Sequence, residues 1–253
     1  MDGDDALVGR VLSRREALAV LGVSGVVLLP GGADLRRAWA ESGRRVPACV
    51  ARPEQTAGPY FVDDMLRRSD IRSDPGSGVV KDGTRLDLTL VVSALRAGSC
   101  APLAGAHVDV WHCDASGLYS GVEDPGFNTM GQSFLRGYQL TDHAGEARFR
   151  TVYPGWYSGR AVHIHFKIRT DPRAETGHEF TSQLYFDDAL TTEVHARMPY
   201  AARRGRERRD LNADDAIFAR GGDQLLLAPK AAGDGYAARF ELALQLAAES
   251  PRR

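Results

Sequence analysis

The sequence predicts an all-β protein: an antiparallel β-sandwich with long loops and little helix. Three observations carry that expectation. Apolar residues recur at a period of two in several short stretches. The 27 glycines and 12 prolines among 253 residues place turn signals at short spacing. Only one stretch, residues 188–196 behind a capping Asp, has helical character.

The elements follow in order. Leu86, Leu88, Leu90 and Val92 alternate with Asp87, Thr89 and Val91. After a turn over 96–102, residues 106–112 (AHVDVWH) form the next strand, and Ala144-Gly145 turns the chain into 147–152 (ARFRTV). Residues 161–169 (AVHIHFKIR) give the clearest strand; 183–186 (QLYF), 224–227 (QLLL) and 236–244 (YAARFELAL) complete the set. Residues 55–74 (QTAGPYFVDDMLRRSDIRSD) hold no steady period and read as a long loop, a feature that is usually functional when it lies inside a compact domain. Its Gly58-Pro59-Tyr60-Phe61 is apolar and stiff, suited to packing over a core or a pocket. Residues 203–209 (RRGRERR) read as a solvated loop.

Lys plus Arg number 32 against 33 for Asp plus Glu, a formal net charge of -1. That balance argues against nucleic acid as a partner and against a polybasic membrane surface. Residues 1–40 have the three parts of an export signal. Ser13-Arg14-Arg15 opens it, an uncharged run over 17–30 (ALAVLGVSGVVLLP) follows, and Ala38-Trp39-Ala40 closes it. The run is shorter than the ~20 apolar residues that span a bilayer. Its paired arginines and softened apolar stretch resemble twin-arginine signals, which export folded proteins; a buried first helix is the structural alternative. The expected organisation is therefore a signal over 1–40 and one exported domain over 41–253, with no stable membrane span once the signal is removed. Cys49, Cys100 and Cys113 fit one disulfide plus one thiol, with three pairings open.

His163 and His165 stand at i and i+2 of a strand, so their side chains share one face while Ile164, Phe166 and Ile168 take the other. Such a pair can hold one metal ion from neighbouring corners, or can be two polar residues on a solvated face. The other histidines, His107, His112, His143, His178 and His195, are each more ordinary as structural residues. Tyr119 closes a Trp-led segment (WHCDASGLY, 111–119), and Tyr157 stands in a glycine-flanked loop (YPGWYSGR, 153–160) that feeds the histidine strand.

Four blocks in this order resemble the intradiol ring-cleavage dioxygenases, the family of protocatechuate 3,4-dioxygenase and catechol 1,2-dioxygenase. They are residues 55–61 (QTAGPYF), 102–120, 134–167 and 183–186. The resemblance implies a β-sandwich holding a non-haem ferric ion, Fe(III), with Tyr119, Tyr157, His163 and His165 as ligands. It further implies Arg160 and Gln183 as catalytic partners, and Gly58, Pro59 and Tyr60 as pocket wall. Tyr157 would be the ligand released as an internal base and Tyr119 the one retained. The implied partners are a small aromatic diol and dioxygen, cleavage falling between the two hydroxylated carbons to give a cis,cis-muconate-type product. Between Arg160 and His163 this chain has Ala161-Val162 where the better-known enzymes usually have a proline, and too little chain precedes Gln55 for the helical dimerisation segment of the catechol enzymes. The likeness is to the exported, compact branch, with self-association left open.

The ligand chemistry is coherent. Ferric iron is hard and favours anionic oxygen, and a phenol of pKa ~10 ionises at neutral pH only beside such a cation. Two rivals remain at this stage: a non-catalytic exported binding module, and a copper or zinc enzyme using the histidine pair alone.

Overall fold

The computed structural model describes residues 49–246 apart from 97–98, 173–176 and 204–209. The expected signal over 1–40 and most of the arginine run over 203–209 lie outside the described residues.

Two sheets pack face to face. In the first, β1 (Arg85–Arg96) is central. One of its edges carries β7 (Glu146–Val152) and then β2 (Ser99–Pro102), both antiparallel. Its other edge pairs with β11 (Gly235–Gln245), which forms a hairpin with β10 (Lys230–Ala232). The β1–β11 pairing is parallel, the one departure from the antiparallel pattern expected of these strands. Nearly the whole domain separates these two strands, so the crossover that parallel pairing needs is available. The second sheet runs β6 (Arg136–Leu140), β3 (His107–Trp111), β8 (His163–Arg169), β9 (Glu179–Tyr185), antiparallel throughout. A small hairpin, β4 (Glu123–Asp124) and β5 (Phe127–Asn128), stands apart.

The period-two pattern explains the core. Leu86, Leu88, Leu90 and Val92 face Val108, Val110, Ile164, Phe166 and Ile168, all buried in one apolar cluster. The Phe166 ring reaches Phe240 of the opposite sheet at 6.2 Å between centroids. Helix α1 (Asp188–His195) begins at Asp187, whose carboxylate accepts a hydrogen bond from the Leu190 amide. The expected strand over 224–227 is not one: a 3-10 turn (Gly222–Leu225) takes its place, and only Leu226 bridges to Tyr185. With three consecutive leucines, that stretch has the composition of a buried strand but lacks its alternation. Leu225 and Leu227 are nonetheless in the core. Residues 136–140 (RGYQL), by contrast, have too mixed a pattern to announce β6.

The outer face of the second sheet is not solvated. Residues 55–74 cross it as a strap, with Phe61 against Trp111 at 4.8 Å and Asp63 paired to Arg169 at 2.7 Å. Further along, the strap bonds to β6 through Arg68 N to Tyr138 O and Tyr138 N to Leu66 O. It bonds to β7 through Ile71 N to Arg150 O and Arg150 N to Ser69 O, so it stitches one edge of each sheet. Among the described residues no helix is long and apolar enough to cross a membrane.

Cys49 is bonded to Cys100 of β2, with Cα atoms 5.7 Å apart, and Cys113 is a buried thiol outside the pair. The link closes a sequence separation of 51 residues. Its reduction is expected to lower the unfolding free energy by about 2–4 kcal/mol, read from urea melts with and without reductant; an unchanged midpoint would refute this.

Candidate metal centre

Strand β8 projects His163 and His165 from one face, as the i, i+2 spacing predicts, but that face is buried: the two residues are 2% and 1% exposed. His163 Nδ1 lies 2.7 Å from Ala161 O, which makes Nδ1 the protonated nitrogen and leaves the Nε2 lone pair free to face the centre. His165 is pressed flat on Trp111, its register partner in β3, with centroids 4.9 Å apart and planes 4° apart. Above its other edge lies Gly58, where an added Cβ would come within 3.4 Å of His165 Cε1 and the φ of +66° is left-handed. His165 Nδ1 is buried without a hydrogen-bond partner.

The two tyrosines arrive on loops that are locked to each other. Asp114 closes the first loop, its Oδ1 accepting from the Ser116 and Leu118 amides, and so delivers Tyr119. In the second loop Gly155 N donates to Asp114 O at 3.2 Å. A Cβ on Gly155 would collide with the carbonyl oxygens of Asp114 and Ala115, so only glycine lets the loops touch. As a result Tyr119 Oη lies 3.4 Å, Tyr157 Oη 3.3 Å and His165 Nε2 3.0 Å from one atom, His163 Nε2.

These four donor atoms fit one metal ion. Ligand atoms about 2.1 Å from a common ion stand roughly 3.0–3.4 Å apart in octahedral to tetrahedral arrangements. Among the described residues no group of three or more His, Cys, Asp or Glu side chains could hold a metal, and the side-chain oxygens that meet the histidine pair are those of the two phenols. Charge agrees. Burial, with Arg160 adding to it, drives the His163 imidazole down to about 3. Burial and then His163 hold His165 well below its usual range, so both rings are neutral and able to donate a lone pair. Burial pushes the Tyr119 phenol well above its usual range and Tyr157 up to about 12, Arg160 opposing the rise in Tyr157. Neither phenol ionises here near neutral pH unless a cation sits between them.

Around the four, Arg160 Nε donates to Asp215 Oδ2 at 2.9 Å, its Nη2 to Gln183 Oε1, and its Nη1 lies 3.5 Å from Tyr157 Oη. Gln183 is fully buried; its amide donates to Thr56 O and its carbonyl also accepts from Tyr185 Oη. Gln183 thus grips Arg160. Tyr60 stacks on Tyr119 at 4.5 Å and donates to Asp124 of the small hairpin at 2.8 Å. Arg136 clamps this corner, donating to Ser120 Oγ and to Tyr60 O. Pro59 is exposed in the turn between Gly58 and Tyr60. Three of the remaining five histidines have partners of their own: His107 bonds Asp109, His112 bonds Thr151, and His195 bonds Pro154 O.

A dioxygenase family model matches residues 57–205, more than half of the chain. The chain belongs to the intradiol dioxygenase family. It is 31% identical over 155 residues to a chlorocatechol 1,2-dioxygenase of Pseudomonas putida, covering 51% of this chain and 52% of that one. It is 26% identical over 190 residues to a catechol 1,2-dioxygenase of Acinetobacter lwoffii, covering 64% and 57%. The chain therefore spans about half the length of the curated relatives it matches. An intradiol ring-cleavage dioxygenase structure from Tetranychus urticae superposes with a TM-score of 0.67 at 29% identity, covering 80% of this chain and 98% of that one. The dioxygenase domain of a carbohydrate-binding fusion from Streptomyces sp. SirexAA-E gives 0.53 at 30% identity, covering 78% and 99%.

The sequence alone singled out Tyr119, Tyr157, His163, His165 and Arg160, which the fold brings together, but not Asp215, Trp111 or Asp124. Trp111 had a usable signal, since the antiparallel partner of a histidine strand is the natural place for a stacked aromatic. Asp215 and Asp124 had none.

Gly155→Ala is expected to separate the two tyrosine loops, costing about 1–3 kcal/mol and lowering metal uptake. Denaturant melts and metal analysis check this; a variant with native stability and loading would contradict it.

Proposed function

We propose that the protein is an iron(III)-dependent intradiol dioxygenase, cleaving a catechol-type diol between its two hydroxylated carbons with dioxygen to a cis,cis-muconate-type product. The convergence of Tyr119, Tyr157 and His165 on His163 Nε2 within 3.4 Å carries this reading. A ferric ion held there would supply the positive charge that ionises phenols and draws electron density from a bound diol.

The chain's own groups divide the remaining work. Tyr119 is 1% exposed and covered by Tyr60, so it stays in place. Tyr157 is only partly buried and lies beside Arg160, so once ionised beside such an ion it would be the phenolate free to move and take a proton from the diol at Oη, becoming the neutral phenol. Arg160 keeps a permanent cation near the reacting ring, where it stabilises developing negative charge. Gly58 and Tyr60 close the side of the site away from the core.

Purified protein loaded with ferric iron is expected to be red-brown and to consume dioxygen with at least one of catechol, hydroxyquinol, protocatechuate or a lignin-derived diol, giving the ring-opened diacid. Tyr119→Phe is expected to lose most of the colour. Colourless, inactive protein would favour a binding module, and colour indifferent to both tyrosines would favour a histidine-only metal site.

We also propose export by the twin-arginine-type signal over residues 1–40. The disulfide Cys49–Cys100 supports it, since such bonds persist in oxidising compartments. Lysines in place of Arg14 and Arg15 are expected to hold the protein in the cytoplasm, as fractionation would read; unaltered export would refute the assignment.

A further inference from the structure

Asp215 is 1% exposed and lies beyond residue 205, where the family match ends. It follows a 3-10 turn, Asn212–Asp214, that is fixed at both the start of α1 and the end of β9: Asn212 N donates to Asp188 Oδ2 and its side-chain amide to Phe186 O. Four donors converge on its carboxylate. Oδ1 accepts from the Ile217 and Phe218 amides at 2.7 and 3.2 Å, and Oδ2 accepts from Arg160 Nε and the Ala161 amide, both at 2.9 Å.

The two bonds to Oδ2 lead to different parts of the metal centre. Arg160 reaches Gln183 and Tyr157. Ala161, held through its N–H, accepts on its carbonyl the Nδ1–H of His163 at 2.7 Å. We propose that Asp215 is the positioning residue that sets Arg160 and His163 in one common frame, so that the guanidinium and the metal-binding imidazole keep a fixed relation while Tyr157 moves. This rests on the dioxygenase reading above and adds to it a residue outside every motif block.

The chemistry calls for a carboxylate. All four donors are N–H groups, and only an acceptor with two oxygens can satisfy them. An asparagine has the same shape but turns an NH2 toward one pair, breaking either the outer pair from Ile217 and Phe218 or the inner pair from Arg160 and Ala161. It also leaves Arg160 without its buried counter-charge.

The test compares the full chain with Asp215→Asn, Arg160→Ala and the double variant, each loaded with ferric iron. In Asp215→Asn the visible charge-transfer band is expected to shift and a competing chelator to strip iron about tenfold faster, as for loss of an outer partner to a metal-bound histidine. Its kcat is expected to fall roughly 100-fold with KM nearly unchanged, the cost of a misplaced catalytic group. In the double variant kcat should drop little below that of Arg160→Ala, because that loss runs through Arg160, while the faster iron loss persists through Ala161 and His163.

A variant that merely melts earlier, with native band, kcat and iron retention, overturns the proposal, as do fully multiplicative losses in kcat. Asp215→Glu keeps the charge but moves the oxygens by a methylene, and covers the case in which the Asn variant does not fold: a native band and kcat there also overturn the proposal. Wild type that holds no iron and cleaves no diol overturns the dioxygenase reading itself, whereas competent wild type with an indifferent Asp215→Asn overturns only the role given to Asp215.

Discussion

Four polar side chains with no charge of their own, three of them buried and Tyr157 partly so, meet in one corner of a β-sandwich, and the cost of taking them from water organises the molecule. Two imidazoles held neutral and two phenols held protonated by desolvation gain little from one another. A multiply charged cation held among them would turn the penalty into binding energy, because the phenols would then ionise against it. Everything nearby serves to keep the donors from relaxing apart. The flat stack on Trp111 does so for His165, the Ala161 carbonyl for His163, and the backbone contact at Gly155 for the two loops.

The strap shows how fold and centre share one set of contacts. Its first half roofs the histidine face, and its second half hydrogen-bonds to an edge of each sheet. Exposed strand edges invite unwanted pairing, and here the same segment that protects them also carries Gly58 to His165 and Tyr60 to Tyr119. Loosening either half would therefore disturb both.

Much of this was legible in the chain itself. Period-two alternation in 86–92 and 161–169 foretold the core, because each residue there faces one environment. The H-x-H spacing fixed a shared face, and loop residues 55–74 stood out by having no period. What stayed hidden depended on contacts distant in sequence. The parallel pairing of β1 with β11 leaves no local mark, β6 is made a strand by pairing with β3 and the strap rather than by its composition, and Asp215 reaches Arg160 across 55 residues. The leucines of 224–227 misled for the opposite reason: apolar composition signals burial, and burial does not require a strand.

The bare backbone at Gly58 has a consequence for how this scaffold can diversify. A glycine held at a left-handed φ of +66° gives way to a residue that carries function only at the cost of backbone strain. That wall of the cleft is chemically mute. Any tailoring toward one aromatic guest over another must then be written into its flanks, in the exposed ring of Pro59, the Tyr60–Asp124 bond and the small hairpin that anchors it.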